Sequence, residues 1–386
     1  MSEFANLLNI ADVREAAKKR LPKGIFEFID GGAEDGEAVE ANRAAFSTIK
    51  MITRRGVDVS ERTTETTLLG HKVSMPFAIA PTGAAGLVWY NGELELARAA
   101  AAANIPFTLA TRSFTSIEDI ASLAGGRIWF QLYVWTRRDL SYQLVDRAQA
   151  AGFEALLVTL DVPVQPNREY NQRNGFALPF GPNHKNMGDM LLHPRWLLGT
   201  MGRYLATTGM PRFENQPGEH RQRVTAAKSA NPLRGDNVTW DDIAELRRRW
   251  RGPLLIKGIL SATDAVKVIE LGADGVVVSN HGGRCLDSAA APMSVLPKIA
   301  DAIGHRSTLL VDGGVRRGTD IARAIANGAH GVLSGRPCLY GMAVGGQDGA
   351  RHVIDIFQTE MSTAMGMLGT PTVADITSDL IHPSQL

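Results

Sequence analysis

The chain is short of the features that would assign it to several large protein classes. It has two cysteines in 386 residues, Cys285 and Cys338, too few for a disulfide framework and in keeping with a reducing compartment. It has no uncharged apolar run approaching the roughly 20 residues that span a bilayer. Its opening stretch, MSEFANLLNIADVREAAKKR, carries charges throughout and lacks the apolar core of a signal peptide. Neither sign of charge dominates: 41 Lys+Arg against 40 Asp+Glu leave +1, so no bulk field draws nucleic acid. No strand-turn carries the GxGxxG dinucleotide fingerprint. With 44% hydrophobic and 21% charged residues, the expectation is an ordinary soluble globular chain of the cytoplasm.

What is present is a rhythm. The first 60 residues read as helical and polar, with Asp12 as the cap of a helix to about Lys19 and a second helix after Pro22 that stops at Gly31-Gly32. Short apolar runs then recur at Phe77 to Ala80, Phe107 to Ala110, Ile128 to Val134 and Ala155 to Leu160. They resume at Leu254 to Lys257, Gly275 to Ser279, Thr308 to Val311 and Gly331 to Ser334. Amphipathic stretches such as ELELARAAAAAN and TDIARAIANGA lie between them. Eight buried strands alternating with helices predict an α/β chain with a parallel sheet, and eight strands close a (β/α)8 TIM barrel. An open doubly wound sheet is the alternative, disfavoured by the missing fingerprint. The expected organisation is one domain over 1–386, with an N-terminal helical region (1–60) and a long insertion between strands four and five (175–238). A C-terminal helix and tail (346–386) would pack Val353, Phe357, Met361 and Met365 back on the barrel. The insertion contains LLHPRWLLGTMGRYL, in which Leu197, Met201 and Leu205 run beside Arg195 and Arg203. A stripe of this kind, here within 187–210, lies on a membrane surface or packs on the barrel or a neighbouring subunit.

A barrel places its chemistry at the C-terminal ends of the strands. Those ends are polar almost without exception: Pro81-Thr82-Gly83, Gln131 and Tyr133, Thr159 and Asp161 with Arg168 soon after, Lys257, Ser279 and His281, Asp312, and Ser334-Gly335-Arg336. The densest is SNHGGRCLD, Ser279 to Asp287, which follows a buried run and sets a base, His281, beside a cation, Arg284. A histidine exchanges protons near neutral pH, an arginine fork fits a carboxylate, and glycines let the backbone approach a ligand. That combination suits proton abstraction from a small acid, with Asp161 as the partner that sets the tautomer of His281. Gly313-Gly314-Val315-Arg316-Arg317-Gly318 before a helix, together with Gly335-Arg336, reads as a phosphate cradle after the last two strands. Lys257 then has two readings: a Schiff-base amine, as in an aldolase or a pyridoxal phosphate enzyme, or a cation held beside an anionic ring. No metal site is expected.

The segments LPKGIFEFIDGGAED, WFQLYV, LLVTLDVP, LLIKGIL, VVVSNHGGRCLD, VDGGVRRGTDI and LSGRPCLYG, in this order over roughly residues 10–375, resemble the FMN-dependent α-hydroxy acid dehydrogenase and oxidase family. LHPRW and Pro81-Thr82-Gly83 look closest to its mandelate dehydrogenase branch. The resemblance implies FMN as cofactor, with phosphate on Gly314, Arg316, Gly335 and Arg336 and the ribityl chain at Asp312. It implies Lys257 at the N1/C2 edge of the flavin, Gln131, Thr159 and Ser279 bonded to the ring, and the backbone of Pro81, Thr82 and Gly83 near N5. His281 would take a substrate proton with Asp161 behind it, Tyr133 would bond the substrate hydroxyl, Arg284 would hold its carboxylate and Arg168 would add charge. The implied reaction oxidises an (S)-2-hydroxy acid, aromatic or lactate-like, to the 2-oxo acid, with oxygen or a quinone as final acceptor. The implied assembly is a homotetramer, peripheral on the inner face of the membrane if the insertion docks there. A flavin-dependent isomerase, a non-catalytic flavin-binding protein and a Lys257 aldolase are the competing classes.

Three positions depart from the family pattern. Phe28 stands where a tyrosine would help bind the substrate carboxylate, so one contact of about 0.5–3 kcal/mol is missing. Cys285 follows HGGR where glutamine is usual and reads as a small buried filler. Arg112 stands where glycolate oxidase has a pocket tryptophan, and either enters the pocket, to meet the carboxylate or a second anionic group, or faces solvent from the rim. A diacid or modified substrate is the corresponding alternative.

Overall fold

The computed structural model describes residues 4–176, 183–217, 221, 223–225 and 237–382. Eight parallel strands close on themselves: Phe77–Ile79, Phe107–Ala110, Ile128–Leu132, Ala155–Thr159, Leu254–Ile259, Gly275–Val278, Thr308–Val311 and Gly331–Ser334. The eighth returns to the first with Val332 opposite Phe77. Each apolar run ends within two residues of its expected limits, because a strand buried on both faces is a continuous apolar word.

Strand periodicity divides the core into two shells. One phase packs outward with the surrounding helices: Phe130, Leu156, Val158, Ile256, Val276, Val278, Leu309, Val311 and Val332. The other fills the barrel interior: Ala78, Trp129, Leu157, Leu255, Val277, Leu310 and Leu333. An antiparallel hairpin, Thr66–Leu68 with His71–Val73, adds Leu68 and Val73 to the inner cluster.

Three helices precede the barrel: Ile10–Arg20, Lys23–Asp30 and Glu37–Thr48. The cap of the first is Asn9 and not Asp12; the Asn9 side chain accepts the amides of Ala11 and Asp12. Asp12 sits inside the first turn, where its carboxylate accepts the Leu8 amide and suits the positive helix end. After the barrel, Arg336–Leu368 forms a long helix broken at Gly345-Gly346. Val353, Phe357, Met361 and Met365 are all fully buried along it, as their spacing predicts.

Of the insertion, residues 177–182, 218–220, 222 and 226–236 lie outside the described residues. The rest divides the expected stripe. Leu197 and Met201 pack against the core, as the barrel-packing alternative has it; Trp196 is buried and its indole donates to the Leu87 carbonyl at 2.7 Å. Leu205 is exposed, and so are Met187, Leu191, Leu192 and Leu198, which the spacing did not select. Leu197–Gly202 winds as a π-helix. No helix among the described residues is long and apolar enough to cross a membrane.

Candidate active site

Two residues beyond the apolar interior layer, in the same inward phase, five of the eight strands turn polar. Gln131 follows Trp129, Thr159 follows Leu157, Lys257 follows Leu255, Ser279 follows Val277 and Asp312 follows Leu310. All five are buried. Gln131, Thr159, Lys257 and Asp312 form the floor of a cavity of about 1280 Å³ at the C-terminal mouth. That exceeds the roughly 300–1,000 Å³ of an ordinary single-ligand pocket and leaves room for two molecules side by side. Pro81, Thr82, Gly83, Gly314, Arg316, Gly335 and Arg336 line it, as do Phe28, Arg112, Tyr133, Arg168, His281 and Arg284. Ser279 and Asp161 stand immediately behind the wall, bonded to residues that line it.

Lys257 organises the floor. Its ammonium lies 2.9 Å from Asp312, 3.9 Å from Asp161 and 2.6 Å from the Ser279 hydroxyl. Burial alone would lower its pKa, but the two carboxylates outweigh that and hold it above its ordinary value. A Schiff-base lysine needs the opposite shift, so the aldolase reading has no support in this geometry. The Ser279 oxygen also accepts the His281 amide at 2.9 Å, so one hydroxyl joins the cation to the base.

His281 Nδ1 lies 2.8 Å from Asp161 Oδ1, and Nε2 faces the Tyr133 hydroxyl at 3.5 Å. Burial outweighs the pull of Asp161 and brings the imidazole below its ordinary pKa, so the ring is neutral at pH 7 and able to accept a proton. Burial alone would raise Asp161, yet His281 and Lys257 hold it below the usual carboxylate range. Burial and Asp161 push Tyr133 up to about 12, so its hydroxyl keeps its proton and can donate. The backbone at His281 is left-handed (φ 59), followed by Gly282 (φ 64) and Gly283 (φ 74). A left-handed histidine is uncommon and marks a residue held by its surroundings. Space for Asp161 comes from the fifth strand: the register shifts between Lys257 and Ile259, Gly258 takes φ 100, and a Cβ there would stand 2.6 Å from that of Asp161.

The glycines of the base loop also make room for the protein's own chain, while Gly282 lines the cavity. A Cβ at Gly282 would meet Arg336 Nη1 at 2.8 Å, and one at Gly283 would meet the Val39 amide nitrogen at 2.7 Å. Asp287, at the end of the same stretch, accepts the amides of Asp35, Gly36, Glu37 and Ala38 and so caps the helix Glu37–Thr48. Cys285 is only partly buried, and burial raises its thiol to about 11, which leaves it unreactive at neutral pH. It lies with His281 and Asp161 in a cluster whose ligand-type atoms are within 4.8 Å of one another.

The cations fall in distinct places. Arg284 donates to the Gly31 carbonyl at 3.0 Å and its guanidinium lies 5.6 Å from the centre of the Phe28 ring. Arg168 donates twice to the Arg284 carbonyl. Arg336 is tied to the carbonyls of Asp30, Gly282 and Gly31, and burial, with Arg284 nearby, lowers it to about 10. Arg112 lines the cavity and does not face solvent from the rim. The expected cradle also differs in detail. The amides of Arg316 and Arg317 go to Asp320 and that of Gly318 to Glu360, so the helix Gly318–Ala326 is already capped by carboxylates. Gly314, Arg316, Gly335 and Arg336 line the cavity wall beside that helix end.

The family model described as FMN-dependent dehydrogenase matches residues 17–383. The chain belongs to the FMN-dependent dehydrogenase family. It is 39% identical over 378 residues to the (S)-mandelate dehydrogenase of Pseudomonas putida, covering 98% of this chain and 94% of that one. It is 39% identical over 387 residues to an L-lactate oxidase from a Nostoc strain, covering 99% and 100%. Among solved structures, a monotopic membrane protein (S)-mandelate dehydrogenase superposes with a TM-score of 0.92 at 39% identity, covering 98% and 99%. A mandelate oxidase with (S)-2-phenylpropionate gives 0.80 at 34%, covering 97% and 98%.

FMN-dependent dehydrogenases take FMN, and the residues present fit it. Two buried oxygens of the wall, Asp312 Oδ1 and Ser334 Oγ, have no hydrogen-bond partner among the described residues. Buried polar atoms are rarely left so, and a hydroxylated ribityl chain supplies the missing partners. The inward ring of donors supplies the rest. Sequence reading named Ser334 only as a polar strand end and gave Asp287, Asn42 and Asn280 no role of their own. The last two exchange amide bonds at 2.8 Å and fix the base loop to the helix Glu37–Thr48. The inward phase already contained Ser334's neighbours; the other partnerships join residues more than 200 apart and leave no local signal.

Proposed function

We propose that this FMN-dependent dehydrogenase oxidises an (S)-2-hydroxy acid to the 2-oxo acid. The observation that carries the reading is His281, held at Nδ1 by Asp161 and opening into the same cavity as Arg284 and Arg168. FMN, when bound, supplies the acceptor for the two electrons that leave the substrate. The chain's residues do the remaining work. Arg284 holds the substrate carboxylate through the donors not spent on Gly31, and Arg168 adds positive charge. Tyr133 donates to the substrate hydroxyl. His281 takes the proton at Nε2, and Asp161 accepts the Nδ1 proton and stabilises the imidazolium that forms. Lys257 would offer a buried positive charge to the bound ring, with Gln131, Thr159 and Ser279 as its hydrogen-bond partners and the backbone of Pro81 to Gly83 available to it. Gly314, Arg316, Gly335 and Arg336 would hold the phosphate and Asp312 the ribityl chain.

Anaerobic mixing of the holoenzyme with a panel of 2-hydroxy acids tests this. At least one (S)-acid bleaches the flavin absorbance, and readmitting air or adding a quinone then distinguishes the two acceptors. A flavin left unbleached by every acid overturns the reading in favour of an isomerase or a binding protein. Because burial depresses His281, the apparent kcat/KM is flat through neutral pH and falls as pH drops through that lowered pKa, below the ordinary ~6.5. A rate that rises on acidification would contradict His281 as the base.

A second reading concerns location. The exposed Met187, Leu191, Leu192, Leu198 and Leu205 run beside exposed Lys185, Arg195 and Arg203, a combination suited to an anionic membrane surface. The likeness to a monotopic membrane protein supports it. The holoenzyme floats with vesicles containing anionic lipid, and a Leu191→Ser, Leu198→Ser double variant stays in the soluble fraction. Equal flotation of both proteins would remove this segment as the anchor.

A further inference from the structure

We propose that Arg112 reads a second carboxylate on the substrate, so that the preferred substrate is a dianionic 2-hydroxy acid. The proposal rests on the reaction given above and narrows its substrate class. Arg112 follows the second strand and its side chain lines the cavity that holds His281, Tyr133 and Arg284. Its guanidinium lies over the Phe213 ring, 4.9 Å from the centroid, a contact that attracts a cation without neutralising it. Among the described residues no carboxylate reaches Arg112, and no hydrogen-bond acceptor does. Burial lowers its pKa, and only Tyr133 opposes that.

In this respect it differs from the other arginines of the mouth. Arg168, Arg284 and Arg336 each spend their donors on backbone carbonyls. A partly buried guanidinium with no acceptor has all its donors to spend, and the cavity is the direction from which a partner can arrive. The cations also form two poles. Arg168 and Arg284 sit together and repel one another. Arg112 shares only Tyr133 with them. A monoacid gripped by Arg284, with its hydroxyl at Tyr133 and His281, leaves Arg112 unanswered. A carboxylate on the substrate's side chain answers it, and the planar guanidinium suits that group bidentately.

The test compares each diacid with its neutral side-chain amide, which keeps the shape and removes the charge: (S)-malate with its 4-amide, and (S)-4-carboxymandelate with the 4-carbamoyl acid. The holoenzyme favours the diacid in kcat/KM by roughly 10- to 100-fold. In Arg112→Met that ratio collapses toward one; in Arg112→Lys most of it survives. A ratio cancels any general loss of activity, so a damaged variant does not mimic the effect. Titration of the oxidised holoenzyme with the 2-oxo diacid, followed by the flavin spectrum, shows the same selectivity in Kd without turnover. A wild-type ratio near one, or a ratio unchanged in Arg112→Met, overturns the proposal while leaving the reaction intact. If neither diacids nor monoacids bleach the flavin, the reaction itself falls and the proposal with it.

Discussion

His281→Asn retains FMN and the native fold but is reduced by its substrate about 10²–10⁴-fold more slowly than the parent enzyme, the range that a general base supplies. Asparagine is the informative substitution because it tolerates left-handed backbone, and His281 has φ 59. The loss is then one of proton transfer and not of loop geometry. Stopped-flow anaerobic reduction measures it directly. The flavin spectrum and thermal midpoint of the variant serve as controls on folding. The side chain at 281 makes its bonds to Asp161 and Tyr133 alone, while the loop is anchored by the backbone and by Asn280. A reduction rate within about tenfold of the parent would mean that another group removes the proton.

Lys257→Met lowers folding stability by about 3–5 kcal/mol, the penalty for leaving buried charge unanswered. Lys257 is 3% exposed, and it is the shared counterion of Asp312 and Asp161 on the barrel floor. Methionine matches the length of the side chain, so little of the loss comes from packing. With the cation gone, burial pushes Asp161 upward against His281 alone, and the folded protein takes up a proton that the unfolded chain does not bind at neutral pH. The variant therefore recovers part of its deficit as the pH falls from 7 toward 5, the reverse of ordinary acid destabilisation. Urea titrations at several pH values check both the size and the sign. A deficit below 1 kcal/mol, or one that grows on acidification, would show that the carboxylates are neutralised by something other than Lys257.

The barrel was legible because its information is local. A strand buried on both faces must be apolar throughout, and the first polar residue of its inward phase is where the apolar interior stops. That rule alone locates Gln131, Thr159, Lys257, Ser279 and Asp312, and His281 and Asp161 lie two residues further along their strands. What was not legible depends on partners far away in sequence. Nothing near Asp287 says that it caps a helix some 250 residues earlier. Nothing near Arg336 says that three carbonyls of other segments claim its guanidinium. The same blindness hid the second use of the base-loop glycines, whose missing side chains make room for Arg336 and Val39. In the insertion, periodicity found Leu205 but not its exposed neighbours Leu191, Leu192 and Leu198, because spacing does not say which face the barrel covers. Arg112 lay between: its departure from the family pattern was visible, but its place in the pocket required the fold.

The bulge at Gly258 makes the fifth strand a poor place to engineer. Exchanging glycine for alanine is a common route to heat tolerance, because the unfolded chain then has fewer states to lose. At Gly258 the exchange fails twice. The left-handed φ of 100° disfavours any Cβ, and the atom it would have to displace belongs to Asp161. A library screened for folding alone would count the substitution as one modest loss among many. A library screened for turnover would discard it, because the displaced residue is the one that orients the base.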